Sequence, residues 1–197
     1  MMEETEFRDL IKRIRGGDQT AAAELVRRYE PAIRRAARIR LVDPHLDRLI
    51  DSMDICQSVL ASFFVRVHLG QYDLDTPEQL LGLLGIMAQN KVRDQARRLS
   101  AARRDCRLDR DHPDGLDDLP AREVTPCEIA AGKELVEEVR RRLSPDEWRL
   151  VEQRTLGRQW GEISTVMGSS PEALRKQLSR AIDRVFHELG LEDTDHD

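Results

Sequence analysis

Apolar residues recur at helical spacing through most of the chain. Leu25, Ile33, Ala36 and Ala37 mark one stripe, Ile55, Val59, Leu60 and Phe63 a second, and Leu80, Leu84, Met87 and Ala88 a third. Near the end, Leu174, Leu178, Ala181, Ile182, Val185 and Leu189 cluster on one side of a helical wheel. Glu172, Arg175, Lys176, Ser179 and Asp183 lie opposite, with Arg180 on the flank. No stretch alternates apolar with polar positions, and β-branched or aromatic runs are scarce, so nothing argues for a sheet. The pattern predicts helices over 4–15, 18–41, 51–69, 77–104, 126–143, 145–156, 160–167 and 171–189.

Helix starts are marked locally. A hydroxyl residue precedes proline at Thr76, Thr125, Ser144 and Ser170. The hydroxyl can accept from an orphan N–H of the first turn, while proline at the first helical position has no N–H to leave unpaired. Gln79, Glu128 and Glu147 stand three residues after their caps and complete capping boxes. Asp18, after the break at Gly16-Gly17, is expected to cap the second helix.

The helical runs stop between residues 105 and 125. Pro113, Gly115 and Pro120 fall there, with Asp109, Asp111, Asp114, Asp117, Asp118 and Glu123. This reads as an acidic, flexible linker. The expected architecture is all-α: a helix bundle over 1–104, the linker over 105–125, a smaller helical unit over 126–190 and a disordered acidic tail over 191–197. The linker directly follows a basic block, Lys91, Arg93, Arg97, Arg98, Arg103, Arg104 and Arg107, countered by Asp94 and Asp105. This distribution says more than the total, a net charge of −5 over 197 residues.

The stretch "QWGEISTVMGSSPEALRKQLSRAIDR" reads as a helix-turn-helix. A short helix with Trp160, Ile163, Val166 and Met167 offers a partner for the apolar stripe of the last helix, and "GSS" makes a tight turn. Ser164, Gly168 and Leu174 supply the small, glycine and apolar side chains that the motif needs. Such a unit places the early turns of its second helix in a major groove, where Arg175 and Lys176 suit phosphates or guanine edges. By itself the element does not separate a repressor from a polymerase subunit.

Other chemistries find no support in the chain. Cys56, Cys106 and Cys127 make no CxxC pair and fit a reducing compartment. His45, His68, His112, His187 and His196 lack metal-ligand spacing, and there is no phosphate-binding glycine loop, nucleophile elbow or HExxH. No catalytic residue, metal or cofactor is expected. The charged start "MMEETEFRDL" does not read as a signal peptide, and no window is apolar enough to span a membrane. A cytoplasmic location is expected.

Two further stretches, "SMDICQSVLASFFVRV" and "LLGLLGIMAQNKVRDQARRLSAARRD", join the helix-turn-helix in a pattern that resembles the sigma-70 family of bacterial RNA polymerase sigma factors, specifically its small two-domain extracytoplasmic-function group. "GGDQTAAAELVRRYEPAIRRAARIRL" is similar to that family's first helix. The order and spacing of these motifs carry the likeness jointly. It implies a transcription initiation factor that binds core RNA polymerase through Asp54, Ile55, Gln57, Ser58, Leu60 and Ala61. It assigns Asn90, Lys91, Arg93, Asp94, Arg97 and Arg98 to the downstream promoter element, and Ser170, Pro171, Glu172, Arg175, Lys176, Ser179 and Arg180 to the upstream one. The implied partners are core polymerase, promoter duplex with its melted single strand, and an anti-sigma factor, for a chain that is monomeric when free with weakly coupled domains. A flipped base of the melted strand would be held near Gly70–Gln79, and the acidic linker would thread through core polymerase. Leu83, Ser58 and Gln177 depart from the family's usual Trp, Glu and Arg. A stand-alone helix-turn-helix regulator and a sigma-like protein that binds polymerase without initiating are the alternative readings.

Overall fold

The computed structural model describes residues 3–40, 50–105 and 135–190, with side chains undescribed over 101–105. The described residues form eight helical segments and no strand: α1 (Glu4–Arg15), α2 (Gln19–Arg40), α3 (Ser52–His68), α4 (Pro77–Asp105), α5 (135–142), α6 (Pro145–Thr155), α7 (Trp160–Met167) and α8 (Pro171–Glu188). The linker, the tail and the Thr125 cap lie outside the described residues, apart from Asp105, which ends α4.

The expected caps form. Asp18 Oδ1 accepts from the N–H groups of Thr20 and Ala21 at 2.9 and 3.1 Å, and these bonds hold its carboxyl below the usual carboxylate range. Thr76 and Gln79 exchange bonds at 3.3 and 3.4 Å. Ser144 and Glu147 complete a capping box at 2.8 and 3.3 Å. Asp51, which no proline follows to mark it, caps α3 by accepting from Met53 N–H at 2.8 Å. Each such cap contributes about 1 kcal/mol.

Two clusters of buried side chains organise these helices. In the first, α2 packs against α3 and α4, these two pack together, and α1 closes one side. Phe7, Leu25, Ile33, Ile55, Phe63, Leu80 and Leu84 are at its centre. The second joins α6, α7 and α8 through Leu150, Ile163, Leu174, Leu178, Ile182 and Phe186. It also takes in Val65 and Leu69 from α3 and its C-terminal cap. The two units are therefore packed together, in contrast to the weak coupling expected from a long acidic linker.

One apolar expectation fails. Val166 is 59 % exposed, whereas Trp160 and Ile163 are buried and Met167 half-buried. Over the two turns of α7, positions 160, 163 and 167 share the inward face, and 166 turns away from it. Pro31 goes the other way: it sits inside α2 without breaking it, flanked by buried Tyr29 and Ile33.

Cys56 is buried in the first cluster, and that burial, with Glu30 nearby, pushes its thiol up to about 12. A variant with Cys106→Ser and Cys127→Ser leaves Cys56 as the single thiol. At about pH 8 only roughly one part in ten thousand is then thiolate. Labelling by a thiol reagent should be blocked in the folded chain and rapid once denaturant exposes the residue. Rapid labelling without denaturant would contradict this packing.

Candidate nucleic-acid and partner interfaces

α3 is buried on most of its circumference. The exceptions form a narrow stripe of exposed Asp54, Gln57 and Ala61, with Ser58 half-buried beside them. Their spacing of three and four residues places them on one side of the helix. Ile55 and Leu60, expected to touch a partner, are instead withdrawn into the first cluster. They fix the stripe from beneath.

α4 presents Arg93, Arg97 and Arg98 to solvent, with Lys91 and Asp94 half-buried. Asn90, placed with them by sequence, is only 4 % exposed, so its side chain is not on the outer face. Arg40 of α2 donates to Gln89 Oε1 at 2.8 Å and ties the two helices together just before this basic run.

The helix-turn-helix is built from α7 and α8. Gly168 ends α7 at φ 67°, a left-handed conformation in which a side chain is strained, and its N–H bonds Ser164 C=O at 2.9 Å. Ser170 then caps α8 by accepting from Ala173 N–H at 3.2 Å, with Pro171 in the first turn. Glu147, whose box starts α6, also accepts from Arg184 of α8 at 2.9 Å. Burial pushes its carboxyl up, but the bonds from Ser144 and Arg184 outweigh this and hold it below its usual value.

On the outer face of α8, Glu172, Arg175, Lys176 and Arg180 are exposed. Lys176 Nζ pairs with Glu172 at 2.8 Å, which holds that carboxyl low. An exposed pair of this kind is weak enough for a phosphate to displace the carboxylate. Arg175 and Ser179 are engaged differently. Arg175 Nη2 lies 3.5 Å from Asp73 Oδ2, and Gln71 Nε2 donates to Ser179 Oγ at 3.3 Å.

Those contacts belong to a polar cluster that sequence reasoning missed. Asp73, in the loop after α3, also accepts from Trp160 Nε1 at 2.8 Å and from Arg154 Nη2. Arg154 is 2 % exposed; it donates to Gly70 C=O at 3.1 Å and Arg158 C=O at 2.9 Å, and its guanidinium lies 4.6 Å from the Trp160 ring centroid. Arg66 of α3, 4 % exposed, donates to Asp183 at 2.6 Å and Gln71 Oε1 at 2.9 Å, 4.3 Å above the Phe186 ring. Arg15 reaches the same loop through Tyr72 C=O, and burial, together with the nearby Arg154 charge, lowers its pKa. The one hint in sequence was Arg66 itself, an arginine inside the apolar run "FFVRVHLG". Arg154 in "VEQRT" gave none.

An all-helical chain ending in a helix-turn-helix, with a second basic helix and a separate exposed polar stripe, has the layout of a DNA-binding protein that also docks on a protein partner. A family model described as "ECF sigma factor" matches residues 4–190. The chain belongs to the ECF sigma factors, RNA polymerase-binding factors of transcription initiation whose partners are core polymerase and promoter DNA. No curated protein and no solved structure matches it. Among the described residues, no helix is long and apolar enough to cross a membrane.

Ser170→Ala removes the acceptor for Ala173 N–H, and Gly168→Ala places a side chain at a positive φ. Each should lower stability by roughly 1 kcal/mol in chemical denaturation. Full stability in both would contradict the turn geometry.

Proposed function

We propose that this chain directs core polymerase to a promoter with separate surfaces for the enzyme and for each promoter element. The match over residues 4–190, joined to an exposed stripe on an otherwise buried α3, carries this reading. Asp54, Gln57, Ser58 and Ala61 meet core polymerase, with Ile55 and Leu60 holding them in register. Residues 1–104 act as the polymerase-binding and melting unit, and residues 126–190 as the upstream reader.

Downstream, Lys91, Arg93, Arg97 and Arg98 neutralise phosphates, which supplies sequence-independent affinity and a steep salt dependence. Asp94 lies among them, and Asn90 acts from within the helix packing. A base of the opened strand is taken up near Gly70–Gln79, where pocket contacts offset an unstacking cost of a few kcal/mol. Upstream, Ser170 and Pro171 fix the start of α8, so that Glu172, Arg175, Lys176, Ser179 and Arg180 face the major groove. The acidic linker occupies a channel of core polymerase made for nucleic acid, and an anti-sigma factor controls access in the bacterial cytoplasm.

Reconstitution with core polymerase separates these roles. Asp54→Ala with Gln57→Ala should weaken core binding at least tenfold with helical content unchanged, since both side chains are exposed. Wild-type core affinity in that variant would refute the assignment to α3. Arg175→Ala with Lys176→Ala should leave core binding intact, reduce promoter-dependent transcription, and flatten the salt dependence of upstream-element binding by about 0.9 for each phosphate no longer neutralised. Unchanged promoter use would remove these residues from the reading surface.

A further inference from the structure

The cluster around Asp73 joins two surfaces that the proposed function needs apart. The loop Gly70–Gln79 is where a base of the opened strand would be held, and α8 is the upstream reader. Here they bind each other: Arg175 is paired with Asp73, and Ser179 accepts from Gln71. Trp160, at the start of the helix-turn-helix, also donates to Asp73. Arg66 reaches Asp183 further along α8.

We infer that the free protein holds itself closed, with the loop after α3 clasping α8 so that the upstream reader is masked. The inference rests on the reading of α8 as a DNA-binding helix. A duplex seated along α8 would need the positions that the loop side chains occupy beside Arg175 and Ser179. The exposed stripe Asp54, Gln57 and Ala61 lies on α3 away from the clasp, whose α3 residues are the buried Val65 and Arg66 and, at the cap, Leu69. Core polymerase can therefore approach the closed form first, and opening follows on the enzyme.

The clasp is mostly polar. Its apolar part includes Val65 and Leu69, while Arg154, Arg66, Asp73 and Gln71 make directional bonds. A contact of this composition can exchange bonds with water or phosphate when the units separate. It also has a tight point. A Cβ at Gly70 would stand 2.5 Å from Arg154 Cβ, and Gly70 already has φ +72°. The loop can close over Arg154 only with glycine there.

Two full-length variants test this without core polymerase. Gly70→Ala loosens the clasp without changing charge, and Asp73→Asn keeps its shape while weakening three bonds. Far-UV circular dichroism checks that each remains folded, and Asp73→Asn carries the test should Gly70→Ala not fold. Small-angle scattering should give a wild-type radius of gyration near the roughly 16 Å of a compact chain of this length, and a value several ångströms larger in the variants. Affinity for a random-sequence 20-base-pair duplex (about two helical turns, ~10 base pairs each), read by fluorescence anisotropy at low salt, should rise at least fivefold. Adding Arg175→Ala should cancel most of that gain. Unchanged dimensions in folded Asp73→Asn would overturn the closed state, while core-dependent transcription, measured separately, would still judge the function assigned to α8. Expansion with no gain in affinity, or a gain that Arg175→Ala leaves intact, would overturn the masking.

Discussion

A guanidinium without solvent must find its bonds within the protein, and that requirement at Arg154 organises the junction between the two units. Leaving such a charge buried and unpaired costs several kcal/mol. Here it is met by Asp73, by the carbonyls of Gly70 and Arg158, and by the face of Trp160. Three of these four partners are fixed by their own local structure. Gly70 is the left-handed residue after α3, with its N–H on Val67 C=O and Gln71 N–H on Arg66 C=O, both at 3.0 Å. Trp160 begins α7. Arg158 follows the turn that ends α6. Asp73 is then drawn in by charge and by the indole N–H of Trp160.

The second constraint is that α3 serves two cores at once. Phe63 and Val67, four residues apart, point into the first cluster, while Val65 and, beyond the helix end, Leu69 point into the second. Arg66 stands between these stripes and is buried by both units. Each aliphatic side chain transferred to the second core contributes about 1.5–3 kcal/mol as an upper bound. This modest sum, with the polar bonds, binds the units without merging their cores. It also explains why so little of α3 remains exposed, and why its exposed stripe is confined to the N-terminal half.

Function in this family depends on both ends of that helix. The N-terminal half offers a polar stripe to a protein partner, and the C-terminal end supports a loop that meets the upstream reader. Arg175 illustrates the economy of the arrangement. Its charge suits a phosphate, yet in the free chain it is held by a carboxylate of the other unit. A side chain whose preferred ligand is anionic is most simply kept from DNA by an internal anion in the same position.

Helix identity was legible in the sequence because it depends on local physics. The start of α6 at Pro145, the cap at Asp18 and the turn at Gly168 are written in residues within a few positions of each other. The ECF sigma family was legible because its motifs are local helix faces in a fixed order. Burial around a helix was legible only where periodicity was strong. Val166 looked inward by composition and faces outward by angle, and Asn90 looked like a surface contact but lies within the packing of α4. Tertiary structure alone decided the pairing of Arg154 with Asp73, of Arg66 with Asp183, and of Gln71 with Ser179. These partners are far apart in sequence, and a charged residue on an amphipathic helix reads as solvated until another element covers it. The sequence determined which helices form and which faces they offer. The fold decided which of those faces meet, because burying a charge depends on what stands opposite it in space.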